Sequence, residues 1–339
     1  MSDKPIIAID AMGGDFGPEV VVPAAVKALE NNHNIELILV GDQQILNQHL
    51  AGINSPKAQA LKIHHASEKV EMDDAPAMAL RKKKDSSMRV AINLVHENKA
   101  NAAVSAGNTG ALMATAKFVL KTLKGIDRPA IISTLPAVNG HTHMLDLGAN
   151  VDCSPEHLMQ FAVMGSMLSQ TMDNLSKPKV GLLNVGSEAV KGNAQVKEAD
   201  ALLSEVDSIN YIGYVEGDDI YHADVDVVVC DGFVGNVSLK TAEGVAKMIS
   251  HFMKEEFKAS WYNKLAALIA LPVLKAFKDR IDPRVYNGAS LLGLRGIVIK
   301  SHGGADVFSF SKAIETAIQQ VEENLTQRID SQLEQILER

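Results

Sequence analysis

Six short segments of the chain concentrate glycine, asparagine, serine and aspartate, and each follows an apolar run. They are Asp10-Ala11-Met12-Gly13-Gly14-Asp15-Phe16-Gly17, Ser105-Ala106-Gly107-Asn108-Thr109-Gly110, Asp146-Leu147-Gly148-Ala149-Asn150, Asn184-Val185-Gly186-Ser187-Glu188 with Lys191-Gly192-Asn193, Asp231-Gly232-Phe233-Val234-Gly235-Asn236, and Ser301-His302-Gly303-Gly304-Ala305-Asp306. Side-chain amides and backbone N–H groups in this number suit an anion, either a phosphate or a developing oxyanion, held by many neutral donors. Lys191 is the one lysine embedded in the set. The first segment is too acidic for a bare phosphate cradle, and its spacing is neither G-x-G-x-x-G nor the P-loop pattern. No metal is expected. The close histidine pairs, His64-His65 and His141-x-His143, lie in or beside strand-like runs without a sequence cluster of cysteines or carboxylates.

Read singly, each segment is a tight turn or a helix cap. Six of them at strand ends predict the walls of one crevice, because open parallel sheets bind ligands outside the carboxyl ends of their strands. The strands that must carry them are predicted over 6–12, 35–41, 61–66, 102–106, 129–137, 142–148, 179–186, 210–215, 225–231 and 296–301, with helical patterns between most. A helix opens near Pro18, and Asn139-Gly140 turns a β-hairpin between two of the runs. This alternation predicts a mostly parallel sheet with helices on both faces, a three-layer α/β/α fold in a single domain over 1–339.

A net charge of -8 argues against nucleic-acid partners. Cys153 and Cys230 lie far apart, which fits unbridged thiols in a reducing cytoplasm. The chain enters a strand almost at once, so no signal peptide is expected, and no apolar run approaches the ~20 residues of a membrane span. Charge is unevenly spread: between His251 and Lys300 nine basic residues face four acidic ones, which marks a separate surface. Within it, 265–274 carries no polar side chain, Lys264 and Lys275 bracket it, and Trp261, Tyr262 and Phe277 flank it. Ten residues with Pro272 among them predict a protruding amphipathic helical hairpin over 255–285, with Leu268, Ile269, Leu271 and Val273 facing a membrane surface. The stretch 158–168 is apolar all round, as a helix in a core or a subunit interface would be, and a dimer interface is favoured.

The segments IDAMGGDFGPE, SAGNTGA, DLGAN, NVGSE, KGN, DGFVGN and SHGGAD, in this order over essentially the whole chain, resemble the bacterial phosphate acyltransferase family (PlsX), the acyl-acyl carrier protein:phosphate acyltransferases of phospholipid synthesis. The resemblance implies an isocitrate/isopropylmalate dehydrogenase-like fold related to phosphotransacetylases. It also implies a homodimer, no organic cofactor, peripheral association with the inner face of the cytoplasmic membrane, and acyl-acyl carrier protein and inorganic phosphate as substrates. The acyl-phosphate product would feed a glycerol-3-phosphate acyltransferase. An acidic carrier protein would find basic residues in 251–300 and in Arg81-Lys82-Lys83-Lys84.

Attack of phosphate on a thioester needs two anionic reactants held together and an oxyanion stabilised. On the resemblance, Lys191 binds phosphate or offsets charge in the transition state, Asn236 donates to the thioester carbonyl, and His302 protonates the leaving thiolate or holds phosphate. Asp10, Gly13, Gly14, Ser105, Asn108, Thr109, Asp146, Asn150, Glu188 and Asp231 are the expected substrate-binding positions, with the aspartates orienting donors. Three other functions are compatible with parts of the sequence: a short-chain phosphotransacetylase using acetyl-CoA, a dehydrogenase on the related fold, and a non-catalytic membrane scaffold.

Overall fold

The structure, a computed structural model, describes residues 4–32, 34–222 and 224–337, excepting the side chains at 278, 281 and 334–337. Its strands are β1 Ile6–Asp10, β2 Glu36–Gly41, β3 Lys62–His65, β4 Ala102–Ser105, β5 Ala130–Ala137, β6 Gly140–Leu145, β7 Lys179–Leu183, β8 Asn210–Val215, β9 Val227–Val229, β10 Ala289–Leu292 and β11 Ile297–Lys300. The α-helices are α1 Pro18–Asn31, α2 Gln43–Ala51, α3 Pro76–Lys82, α4 Ser87–His96, α5 Thr109–Leu120, α6 Pro155–Met172, α7 Ala194–Ser204, α8 Gly232–Lys258, α9 Trp261–Ile281, α10 Val307–Glu322 and α11 Leu325–Leu337.

The strands form one sheet in the order β3-β2-β1-β4-β11-β10-β5-β6-β9-β7-β8. Alternate residues of each strand point to opposite faces. Ile7 and Ile9 of β1 therefore meet Val22, Leu46 and Phe310 from α1, α2 and α10. Ala8 joins Met88, Ile92 and Leu112 from α4 and α5 on the other side. In the second half, Leu145, Val180 and Val229 pack on Phe161 and Met164 of α6, Leu203 of α7 and Ile329 of α11. This is the expected three-layer architecture, and the Asn139-Gly140 hairpin joins β5 to β6.

Three features differ from the sequence reading. First, β10 is an additional strand, antiparallel to both β11 and β5. With the hairpin pairing of β5 and β6, β1, β4 and β11 run opposite to β6, β7 and β9, and the register brings the carboxyl ends of both sets to one row across the sheet. Second, α6 covers 158–168, and its apolar residues are buried against β9, α7 and α11 of the same chain. Its all-round apolarity is thus accounted for without a second subunit. Third, α9 continues through Pro272, and the break between helices falls at Ala259-Ser260, where the Ser260 hydroxyl caps α9 by accepting from Asn263 N at 3.1 Å. Proline removes one helical N–H, but this helix is largely exposed, so water can satisfy the freed carbonyl.

The histidine pair of β6 has a partner that is distant in sequence. His141 and His143, two apart on the strand, share a face and meet opposite oxygens of Asp173 at the end of α6, at 2.9 and 2.7 Å through Nε2. Ser169 Oγ donates to the same carboxylate at 2.8 Å. Burial alone would raise the Asp173 pKa, yet the hydrogen bonds from both histidines hold it well below 3.8, while the bond to Asp173 lifts His141 above 6.5. The carboxylate's contribution to stability is present above its unfolded value and lost as pH falls. That of His141 is full below its unfolded value and lost as pH rises through the folded one. Asp173→Asn should therefore lower the melting temperature most between about pH 4 and 6.5, with a deficit that shrinks above neutrality. Melting curves of both proteins across pH check this; a deficit independent of pH contradicts it.

Candidate active site

The first group of loops is organised around Asp10, which ends β1 with 1% of its surface exposed. Its Oδ1 accepts from Ser87 Oγ at 2.5 Å and its Oδ2 from Ser105 Oγ at 2.6 Å; the Ser105 hydroxyl in turn accepts from Gly107 N at 3.0 Å. Burial pushes the Asp10 pKa up, and the two hydroxyl bonds oppose that shift. Asp10 and Ser105 thus form a supporting layer, their polar atoms already used. Asn108 is similarly engaged: its Oδ1 caps α5 through Ala111 N at 2.9 Å, and its Nδ2 donates to Met72 O and Asp74 O. Thr109, the first residue of α5, is exposed. Gly14 adopts φ +87, and a Cβ there would lie 2.8 Å from Ala106 Cβ, so only glycine lets this turn close on the 105–110 loop. Gly13 is buried against the Asp10 carboxylate. Asp15 N donates to Gly303 O at 3.0 Å and Ser301 N to Ser105 O at 2.9 Å, so three loops close into one cradle.

His302 stands exposed on that cradle. Its Nδ1 accepts from Gly304 N at 3.1 Å, which assigns the ring proton to Nε2, and Asn287 Oδ1 accepts from its backbone N–H. Burial, then Lys240, depresses its pKa below 6.5. His302 is therefore a neutral donor at pH 7, better suited to hold an anion than to supply a proton as imidazolium.

The second group is organised around Asp146, the residue after β6, which is fully buried. Oδ1 accepts from Ile131 N and Ala149 N at 2.9 and 3.1 Å; Oδ2 accepts from Asn150 N and Nδ2 at 2.6 and 2.9 Å. Asn150 Nδ2 also reaches Pro129 O at 2.8 Å. Asp146 and Asn150 thus shape the loop, with both Asp146 oxygens and the Asn150 Nδ2 engaged by the protein. Asp231 caps α8 through Val234 N at 2.8 Å, and Gly232 N donates to Asn150 O at 2.8 Å. Gly235 lies so near the loop that a Cβ would come within 2.0 Å of Asp146 O. This contact seats α8 and leaves exposed Asn236 against Gly148. Lys191 and Glu188 are exposed on a turn closed by Lys191 N donating to Glu188 O at 2.9 Å, and both side chains pass over Gly186. Gln195 Nε2, bonded to Cys153 O at 2.8 Å, ties that loop to the 146–154 segment.

The strands that carry the two groups end at one level of the sheet. Val104, Ile299, Ser290, Ile132 and Leu145 are successive partners across the sheet. At the usual strand spacing, four steps put the ends of β4 and β6 about 19 Å apart. Helix α8 links them: it starts in the second cradle, and Lys240, four residues beyond Asn236, acts electrostatically on both His302 and Lys300 of the first. Lys300 was missed in the sequence, where it reads as one more cation of the 251–300 surface; it is 9% exposed.

Both thiols are held in the protonated form near neutrality. Burial foremost, reinforced by Asp146, pushes Cys153 to about 11, and burial raises Cys230 well above 9.0. The carboxylates of the two groups are either buried and hydrogen-bonded, as Asp10 and Asp146 are, or cap helices, as Asp231 and Asp306 do, or lie exposed, as Asp15 and Glu188 do.

The chain matches the family described as Fatty acid synthesis protein over residues 6–328. A phosphate acyltransferase of Methylococcus capsulatus is 62% identical over 327 residues, 96% of each chain. One of Nitrosococcus oceani is 59% identical over 328 residues, 97% of this chain and 96% of the relative. Among solved structures, a phosphotransacetylase from Streptococcus pyogenes superposes with a TM-score of 0.67 at 18% identity, covering 95% of each chain, which shows a shared fold.

Proposed function

Since the chain belongs to the phosphate acyltransferase family, in which an acyl group is transferred to phosphate, we propose that its donor is a long-chain acyl-acyl carrier protein and its product the acyl-phosphate used for phospholipid synthesis. The observation that carries the mechanism is the absence of an activated nucleophile among the described residues of the two cradles, beside an abundance of donors and cations. A phosphate oxygen attacks the thioester carbonyl directly: a C–O bond forms, the C–S bond breaks, and the electron pair leaves on the thiolate. The proton given up by the phosphate hydroxyl ends on the thiol, whose pKa near ~8.5 makes it an adequate leaving group without a strong acid.

In this scheme the first cradle, with its backbone N–H groups and the His302 Nε2–H, holds phosphate. Asn236, fixed by the seating of α8, donates to the carbonyl oxygen as it becomes an oxyanion, and Lys191 offsets the charge that accumulates as the two meet. Glu188, beside Lys191 over Gly186, orients that ammonium. A two-cradle cleft suits an extended donor arm lying along α8. Lys191→Ala should reduce phosphate-dependent turnover of a long-chain acyl-carrier protein by about 100-fold or more, with an unchanged melting temperature. Near-normal turnover overturns the assignment, and faster turnover of acetyl-CoA by the native enzyme would favour a short-chain phosphotransacetylase instead.

Helix α9 supports peripheral attachment to a membrane, although no helix among the described residues is long and apolar enough to cross one. Leu268, Ile269, Leu271 and Val273 are 52–75% exposed, with Trp261 and Tyr262 exposed on the preceding turns. Burying one such side chain contributes about 1.5–3 kcal/mol, so several together outweigh loss of freedom at the surface. The product is amphiphilic, and release at a bilayer shortens its path to the next enzyme. Leu268→Glu with Leu271→Glu should abolish co-sedimentation with anionic vesicles and leave turnover of a soluble donor intact; undiminished sedimentation argues against attachment through α9.

A further inference from the structure

Lys300 ends β11 almost out of reach of water, where an ammonium is seldom found. Its Nζ donates to the carbonyl oxygens of Ala106, at 3.2 Å, and of Ser301, and so spans two of the three loops of the first cradle. Among the described residues no carboxylate lies within ion-pair distance of it. Asp10 is nearby, but its oxygens are taken by Ser87 and Ser105. Carbonyl dipoles orient an ammonium without cancelling its charge, so the cradle contains a fixed cation behind its backbone donors, in the field of Asp10 and Asp15. That answers a difficulty in the sequence: Asp10 and Asp15 on the first turn would otherwise repel a phosphate.

We propose that Lys300 is a positioning residue for phosphate, clasping the 105–110 and 301–306 loops through their carbonyls and supplying the positive charge that lets a dianion rest on the 10–17 turn. The proposal rests on the acyl-to-phosphate reading above. Burial lowers the Lys300 pKa to about 8, Asp10 and Asp15 hold it up, and Lys240 of α8 presses it down. Of the neighbouring groups, His302 is already neutral at pH 7, and Glu243 is paired to Lys240 at 2.9 Å. The cradle should therefore lose its cation as pH rises past about 8, where phosphate has already completed its second ionisation.

The test is steady-state kinetics of the full chain, with phosphate varied at a saturating acyl-carrier protein, from about pH 6.5 to 9.5. The native enzyme should show a phosphate KM that rises above about pH 8. Lys300→Met should raise that KM at pH 7 by about tenfold or more, hold the donor KM within about twofold, and remove the pH dependence. Lys300→Arg, which keeps its charge across the range, should restore much of the affinity and show no rise above pH 8. A Lys300→Met enzyme with native phosphate KM, or a Lys300→Arg enzyme that still loses phosphate above pH 8, overturns the proposal. Should the methionine variant fail to fold by circular dichroism, the arginine profile decides alone. Native enzyme without phosphate-dependent turnover would instead remove the reading of the reaction on which the proposal stands.

Discussion

The site depends on two carboxylates taken out of water at strand ends. Asp10 and Asp146 are each almost wholly buried, and each is compensated by hydrogen bonds from the loop that it organises. Burial pushes both pKa values up and the bonds pull them back. A buried carboxylate that lost its donors would cost several kcal/mol, far more than an ordinary turn is worth. The loops are therefore held in one conformation, with their remaining N–H groups preset for an anion. Preorganisation of this kind makes donors effective in catalysis, since no reorientation is needed when charge develops.

Seating of α8 converts two local arrangements into one functional surface. The two halves of the sheet run in opposite directions, yet the register brings the carboxyl ends of β4, β11 and β6 into one row across its middle. The close approach of Gly235 to Asp146 fixes where α8 begins, and helical geometry then carries Asn236 and Lys240 along the gap towards His302. The same helix leads through Ser260 into α9, so the proposed catalytic amide and the apolar surface lie on consecutive helices.

Much of this was legible in the residues. The turn from β1 into Pro18, the Asn139-Gly140 hairpin and the six glycine-rich loops announce themselves through backbone requirements that few residue types meet. What was hidden depends on contacts distant in sequence. Asp173 completes the histidine pair from about thirty residues away. The four residues of β10 are too few to distinguish a strand from a connection, yet they decide the polarity of half the sheet. Lys300 ends an ordinary apolar run, and its burial follows from the packing of loops starting at residues 10, 105 and 301, which no local pattern encodes. Pro272 misled in the opposite direction: it signals a break, but the break falls at residues 259–260.

The central claim is that phosphate attacks the thioester directly, with no covalent acyl-enzyme. The most direct measurement mixes the enzyme with a long-chain acyl-carrier protein in the absence of phosphate, follows thiol release in the first turnover, and records the intact mass of the protein. The account predicts no burst of thiol and an unmodified mass until phosphate is added. A stoichiometric burst accompanied by a mass increase of one acyl group would contradict it.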